Sequence, residues 1–115
     1  MKNVKKQAAQ GDVFVRRVAK LPKKAQKDSE GVSIIVGHSE TGHHHVLECA
    51  VMDPPARFYK TENPLLSYVE VLADQAQLVH KRSFDTHETL ELPKGYWEIR
   101  QQREMTPEGW RRVAD

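Results

Sequence analysis

One cysteine, Cys49, is all the chain contains, so no internal disulfide can form and a thiol-only zinc knuckle is excluded. That usage fits a reducing compartment, and a cytoplasmic protein is expected. Long apolar runs are also missing: no stretch approaches the ~20 residues a spanning helix needs, so no membrane segment is expected. Gln7 and Gln10 stand where a secretory signal would carry its apolar core. Phosphate-binding loops, a Gly-x-Gly-x-x-Gly step, paired-cysteine spacing and a nucleophile elbow are all absent, which removes the commonest nucleotide and hydrolase signatures.

What is present suits one small domain. At 115 residues the chain has room for a single core and none for two. Roughly two-thirds of the unfolded surface can be buried at this size, so the core needs no covalent staple. The net charge of +2 hides an asymmetry: residues 1–27 carry nine Lys/Arg against Asp12 alone, and the remaining residues are net acidic. A basic quarter on an acidic body reads either as solvated flanks that pair loosely with the protein's own acidic surface or as a polyanion site, with Arg16, Arg17, Lys20, Lys23 and Lys24 as candidate nucleic-acid contacts.

The local patterns predict a mostly β protein, a single small antiparallel barrel or sandwich. Residues 1–9 are expected as a polar basic arm, 10–105 as the β domain, and 106–115 as a C-terminal tail or short helix. Val13 to Val18 reads as strand from its β-branched residues and Phe14. Leu21-Pro22 stops it, and 23–31 reads as a lysine-rich loop. The nearly continuous apolar run Val32 to Val36 predicts a strand buried on both faces. Glu40-Thr41-Gly42 predicts a turn into a strand from His43 to Met52. Arg57 to Lys60 and Ser67 to Val71 read as strands, and Asp74-Gln75-Ala76 as a hairpin turn between two more. Leu90 and Leu92 alternate with Thr89 and Glu91 up to Pro93-Lys94-Gly95, which carries a turn signature, and Tyr96 to Glu104 is the last strand. Thr106-Pro107-Glu108 carries the signature of a helix N-cap followed by proline.

The strongest chemical signal is histidine. All six fall in two stretches, His38 to His45 and His80 to His87. Neutral imidazole is the commonest protein ligand for transition metals. Residues two apart on a strand share a face, so His43 and His45 project together. If the last strands form a meander, His80 and His87 lie at one end of the sheet. The expectation is therefore a divalent transition metal, zinc, iron, nickel or manganese, held by His43, His45, His80 and His87. Glu48, Glu88 and Glu98 are further carboxylate candidates. Cys49, Trp97, Phe14 and Tyr68 are expected in the core.

The stretches Gln10-Gly11-Asp12-Val13, Gly42-His43-x-His45, His87 to Pro93-x-Gly95-Tyr96, and Gln102-Arg103-Glu104 with Pro107-Glu108-Gly109 give the chain a resemblance. It is similar, nearly end to end, to a family of small bacterial and phage proteins without assigned function. That resemblance implies a shared fold and a shared polar site in which His43, His45, His80 and His87 recur. His-x-His followed by Glu48 and a Pro-x-Gly turn also resembles, in part, the metal-binding cupin barrel, although Tyr96-Trp97-Glu98 stands where its second motif places histidine. Three functions compete: a metal-binding β protein, catalytic if the ion keeps an open position; a nucleic-acid or nucleoprotein accessory; and a phage-type structural or assembly protein, with a homo-oligomer among its expected partners.

Overall fold

Two long strands organise the chain. In the computed structural model, which describes residues 2–37, 44–49, 56–80 and 88–101 together with the backbone of 103–106 and 109–112, they are β8 (Leu66–His80) and β9 (Leu90–Gln101). The others are β1 (Lys2–Asn3), β2 (Gln7–Gln10), β3 (Val13–Val18), β4 (Gln26–Glu30), β5 (Ser33–Gly37), β6 (His45–Glu48), β7 (Ala56–Lys60), β10 (Arg103–Thr106) and β11 (Gly109–Arg112). Among the described residues no helix occurs, and β1 to β9 form one sheet, antiparallel except where β1 runs parallel to β9.

β8 and β9 pair along almost their whole length, but the register slips between Val71 and Gln75. Such a slip bends a strand and increases its twist. On either side of the bend the outer neighbours change. The first half of β8 pairs with β7, and β7 with β4; the second half pairs with β6, and β6 with β5. β9 likewise pairs with β1 at its start and β3 at its end, with β2 beyond β3. The two halves close on each other over a shared core that includes Val13, Val15, Val69, Trp97 and Ile99 from one half and Ile34, Val36, Leu47, Leu78 and Leu92 from the other. Each buries through the strand alternation that places every second side chain inward. Cys49 packs against this core, and burial raises its thiol above the ordinary value, which suits a small apolar residue rather than a nucleophile.

Six expectations need correction. Pro93-Lys94-Gly95 is no turn between strands, because β9 runs through it from Leu90 to Gln101 paired with β8. The strand expected to be buried on both faces alternates, leaving Ile35 exposed where β5 ends the sheet. The segment expected as a polar arm carries β1 and β2, with Val4 and Ala8 buried, because two small apolar residues suffice where the neighbouring strand supplies the backbone hydrogen bonds. The lysine-rich stretch 23–31 includes β4, an exposed strand held by pairing to β7. Asp74-Gln75-Ala76 is no hairpin; β8 continues through it, its turn propensity absorbed by the register slip. The C-terminal helix is replaced by a two-stranded ribbon of β10 and β11, in which Met105 pairs with Trp110. Cross-strand pairing there prevails over the local capping signal. The turn expected at 40–42 and the strand's extension over 50–52 fall outside the described residues.

The ordinary value of a glutamate is about 4.5, and Glu98 sits below it. Burial pushes it up, but Arg100 and Arg16 more than offset that. Its carboxylate accepts from Arg16 Nη2 and Arg100 Nε, each at 3.2 Å, and from the Tyr68 hydroxyl at 3.3 Å. Glu98 is thus engaged in ion pairs with two arginines. A depressed carboxyl contributes stability above its unfolded value and loses it as pH falls through the folded one. Glu98→Gln should therefore cost on the order of 1 kcal/mol at neutral pH. The difference in melting temperature from the parent should close as pH drops below about 4.5. A difference unchanged into strong acid would show that the charge is not what stabilises.

A buried glutamine, aspartate and histidine centre

β2 and β3 are joined by a two-residue turn, Gly11-Asp12, between the paired residues Gln10 and Val13. Gly11 takes φ +60°, matching the Gly-first hairpin turn that twists with its strands and that a side chain at this position would strain. The turn aims Gln10 and Asp12 out of one half of the fold and into the other. Both are buried, at 2% and 1% exposure.

There they meet His45 of β6, and His80 of β8 lies opposite His45 in the sheet register. Both histidines are fully buried, and their rings stack with centroids 4.0 Å apart and planes 6° from parallel. Gln10 Nε2 donates to the carbonyls of Leu78 and Glu88, each at 2.9 Å. With its amide nitrogen so committed, Gln10 presents Oε1 to His45 Nδ1 at 2.8 Å, so Nδ1 must carry the hydrogen and donate. His45 Nε2 faces Asp12 Oδ1 at 3.0 Å. A neutral ring with its proton on Nδ1 would bring a lone pair against a carboxylate there. The gap between Nε2 and Oδ1 therefore requires an electrophile, either one further proton or a cation.

Room for this arrangement depends on Gly37 of β5. A Cβ at Gly37 would lie 2.9 Å from Val13 Cγ2, 3.2 Å from His45 Cδ2 and 3.3 Å from Gln101 Nε2. The backbone of β5 thus packs directly on the centre.

Of the four histidines expected to hold a metal, the structure brings His45 and His80 together across 35 residues of sequence as register partners. His43 and His87 lie outside the described residues. Among the described residues, no group of three or more His, Cys, Asp or Glu side chains is arranged to hold a metal ion. Sequence reasoning did not assign Gln10 and Asp12 to the site. The available signal was Gln10-Gly11-Asp12 itself: two polar residues flanking a turn glycine at a strand end, in one of the stretches that carry the family resemblance.

A small all-β domain whose two halves are locked by a buried Gln-Asp-His centre is the class these features define. Residues 9–102 match the family described as a domain of unknown function (DUF8820), and the chain belongs to that family. No curated protein and no solved structure matches the chain.

Proposed function

We propose that the chain is a metal-binding β protein, with a divalent transition ion held at the His45 end of the buried centre. One observation carries the reading: His45 Nε2 and Asp12 Oδ1 face each other across 3.0 Å while Gln10 holds the proton on Nδ1. Metal-bound imidazole regularly donates its second nitrogen to an oxygen acceptor, which sets the tautomer, and Gln10 Oε1 is such an acceptor. Two ligands at right angles on bonds of about 2.1 Å lie about 3.0 Å apart, so the donor spacing suits neighbouring positions on a six-coordinate ion. A nitrogen and carboxylate set favours zinc, iron, nickel or manganese over calcium. His80, His43 and His87 are the further ligands proposed. Where protein donors leave a position open, the ion would polarise a bound water or a substrate oxygen.

The test is elemental analysis of tag-free protein purified without chelator, followed by calorimetric titration with each of the four ions. An equimolar ion is expected in the parent. Asp12→Asn keeps a donor facing Nε2 but loses the charge, so it should stay folded while affinity falls by a factor of about 10 to 100 or more, a magnitude typical of altered metal sites. No bound metal, together with no heat or melting shift from any ion, would leave a proton in the gap and end the proposal.

A further inference from the structure

The N-terminal quarter has a property that its composition alone does not reveal. All nine Lys and Arg of residues 1–27 are exposed, whereas its one acidic residue, Asp12, is buried against His45. The surface of this segment is therefore cationic throughout. On the sheet, β2 lies at an edge, and Gln7 pairs with Arg16 while Arg17 N donates to Lys6 O at 2.7 Å. Lys6, Gln7, Arg16, Arg17, Val18 and Ala19 line a cleft of about 440 Å³ on that edge. None of these lining residues is acidic. The guanidinium of Arg17 is held in place by donation to Lys94 O at 2.6 Å and by its position 5.4 Å from the Trp97 ring centroid. Glu98, the nearest carboxylate in register, is already shared between Arg16 and Arg100.

We infer that this edge binds the phosphodiester backbone of nucleic acid, without base selectivity. The cations at this edge are Lys5 and Lys6 with Arg16 and Arg17, whereas Lys27 lies in β4 and Lys24 beside it, across the sheet. Lysine is depleted from protein interfaces but regularly used on phosphates. A bilayer surface is the poorer fit, because an interfacial segment pairs its charges with apolar side chains. Among the described residues Ile35 is the one large hydrophobic left exposed, and it lies on β5, not on the cationic segment. The inference is independent of the metal reading, since none of these cations belongs to the buried centre.

Fluorescence anisotropy tests it with labelled single-stranded DNA, single-stranded RNA and duplex DNA of about 20 nucleotides. All three should bind, and with about four phosphates neutralised, affinity should fall on the order of a hundredfold between about 50 and 200 mM salt. Lys5, Lys6 and Lys20 changed together to glutamine should weaken binding at low salt and flatten the salt slope by about one for each phosphate left unneutralised. Arg16 and Arg17 are left alone because they also serve Glu98 and Trp97. The smaller variant Lys5→Gln/Lys6→Gln should shift the slope in the same direction, with circular dichroism confirming the fold of both. Undetectable binding at about 50 mM salt, unchanged binding in a folded variant, or tighter capture by phosphatidylserine vesicles than by any oligonucleotide would overturn the inference.

Discussion

Asp12→Ala is expected to destabilise the protein by about 3–5 kcal/mol, the range found when one partner of a buried ionic pair is removed. The carboxylate is 1% exposed and faces a histidine with no surface of its own. Gln10 cannot rotate to compensate, because turning its amide would give up the carbonyls of Leu78 and Glu88. Alanine would remove the carboxylate that faces Nε2 in a site closed to water, and losing that oxygen costs free energy whether the ring is charged or neutral. Asp12→Asn should lose far less, because the amide nitrogen can donate to Nε2. Urea unfolding at pH 7 of the parent and both variants provides the measurement. A loss below about 1 kcal/mol for alanine would mean that the pair is not coupled as the geometry indicates.

Trp97→Ala is expected to cost a similar amount, about 3–5 kcal/mol, for a different reason. The indole is fully buried, donates from Nε1 to Pro93 O at 2.9 Å, and lies under the Arg17 guanidinium. Alanine removes apolar contact, opens a cavity and strips the Pro93 carbonyl of its donor. Trp97→Phe keeps much of the ring and should fall between the two. Against a total stability of about 5–15 kcal/mol, the alanine variant should be partly unfolded in mild denaturant, which circular dichroism would register. If alanine and phenylalanine behave alike, cavity formation is not the dominant cost.

The two variants strike different kinds of residue, and the difference bears on how much of the fold is legible in the sequence. Trp97 sits in a run where it alternates with Tyr96 and Glu98, and that pattern alone assigns it to the core. Val13, Val15, Leu90 and Leu92 are legible for the same reason: strand periodicity is local, and burial follows it. The sequence grouped His45 and His80 only through the concentration of histidine in two stretches; what brings them face to face is the pairing of β6 with β8, with β7 between them in the chain. Asp12 was not accessible in this way. Its partner stands 33 residues along the chain, and the Gln10-Gly11-Asp12 turn marks the residue without saying what it will meet. Asp74 shows the opposite failure, a strong turn signal that pairing on both sides of β8 absorbs into a register slip.

Residue order by itself determined the β class, the apolar faces of most strands, the cationic bias of the first quarter and the concentration of histidine in two stretches. These follow from steric preference, two-residue periodicity and composition, all of which act over a few neighbouring residues. Only the tertiary structure decided that the long strands bend, that the Gly11 turn drives Gln10 and Asp12 against His45, and that burial of this single aspartate leaves the basic quarter uniformly positive at its surface. Those outcomes depend on which distant segments pack together once the two halves of the sheet close, and on the requirement that every polar atom enclosed there find a partner.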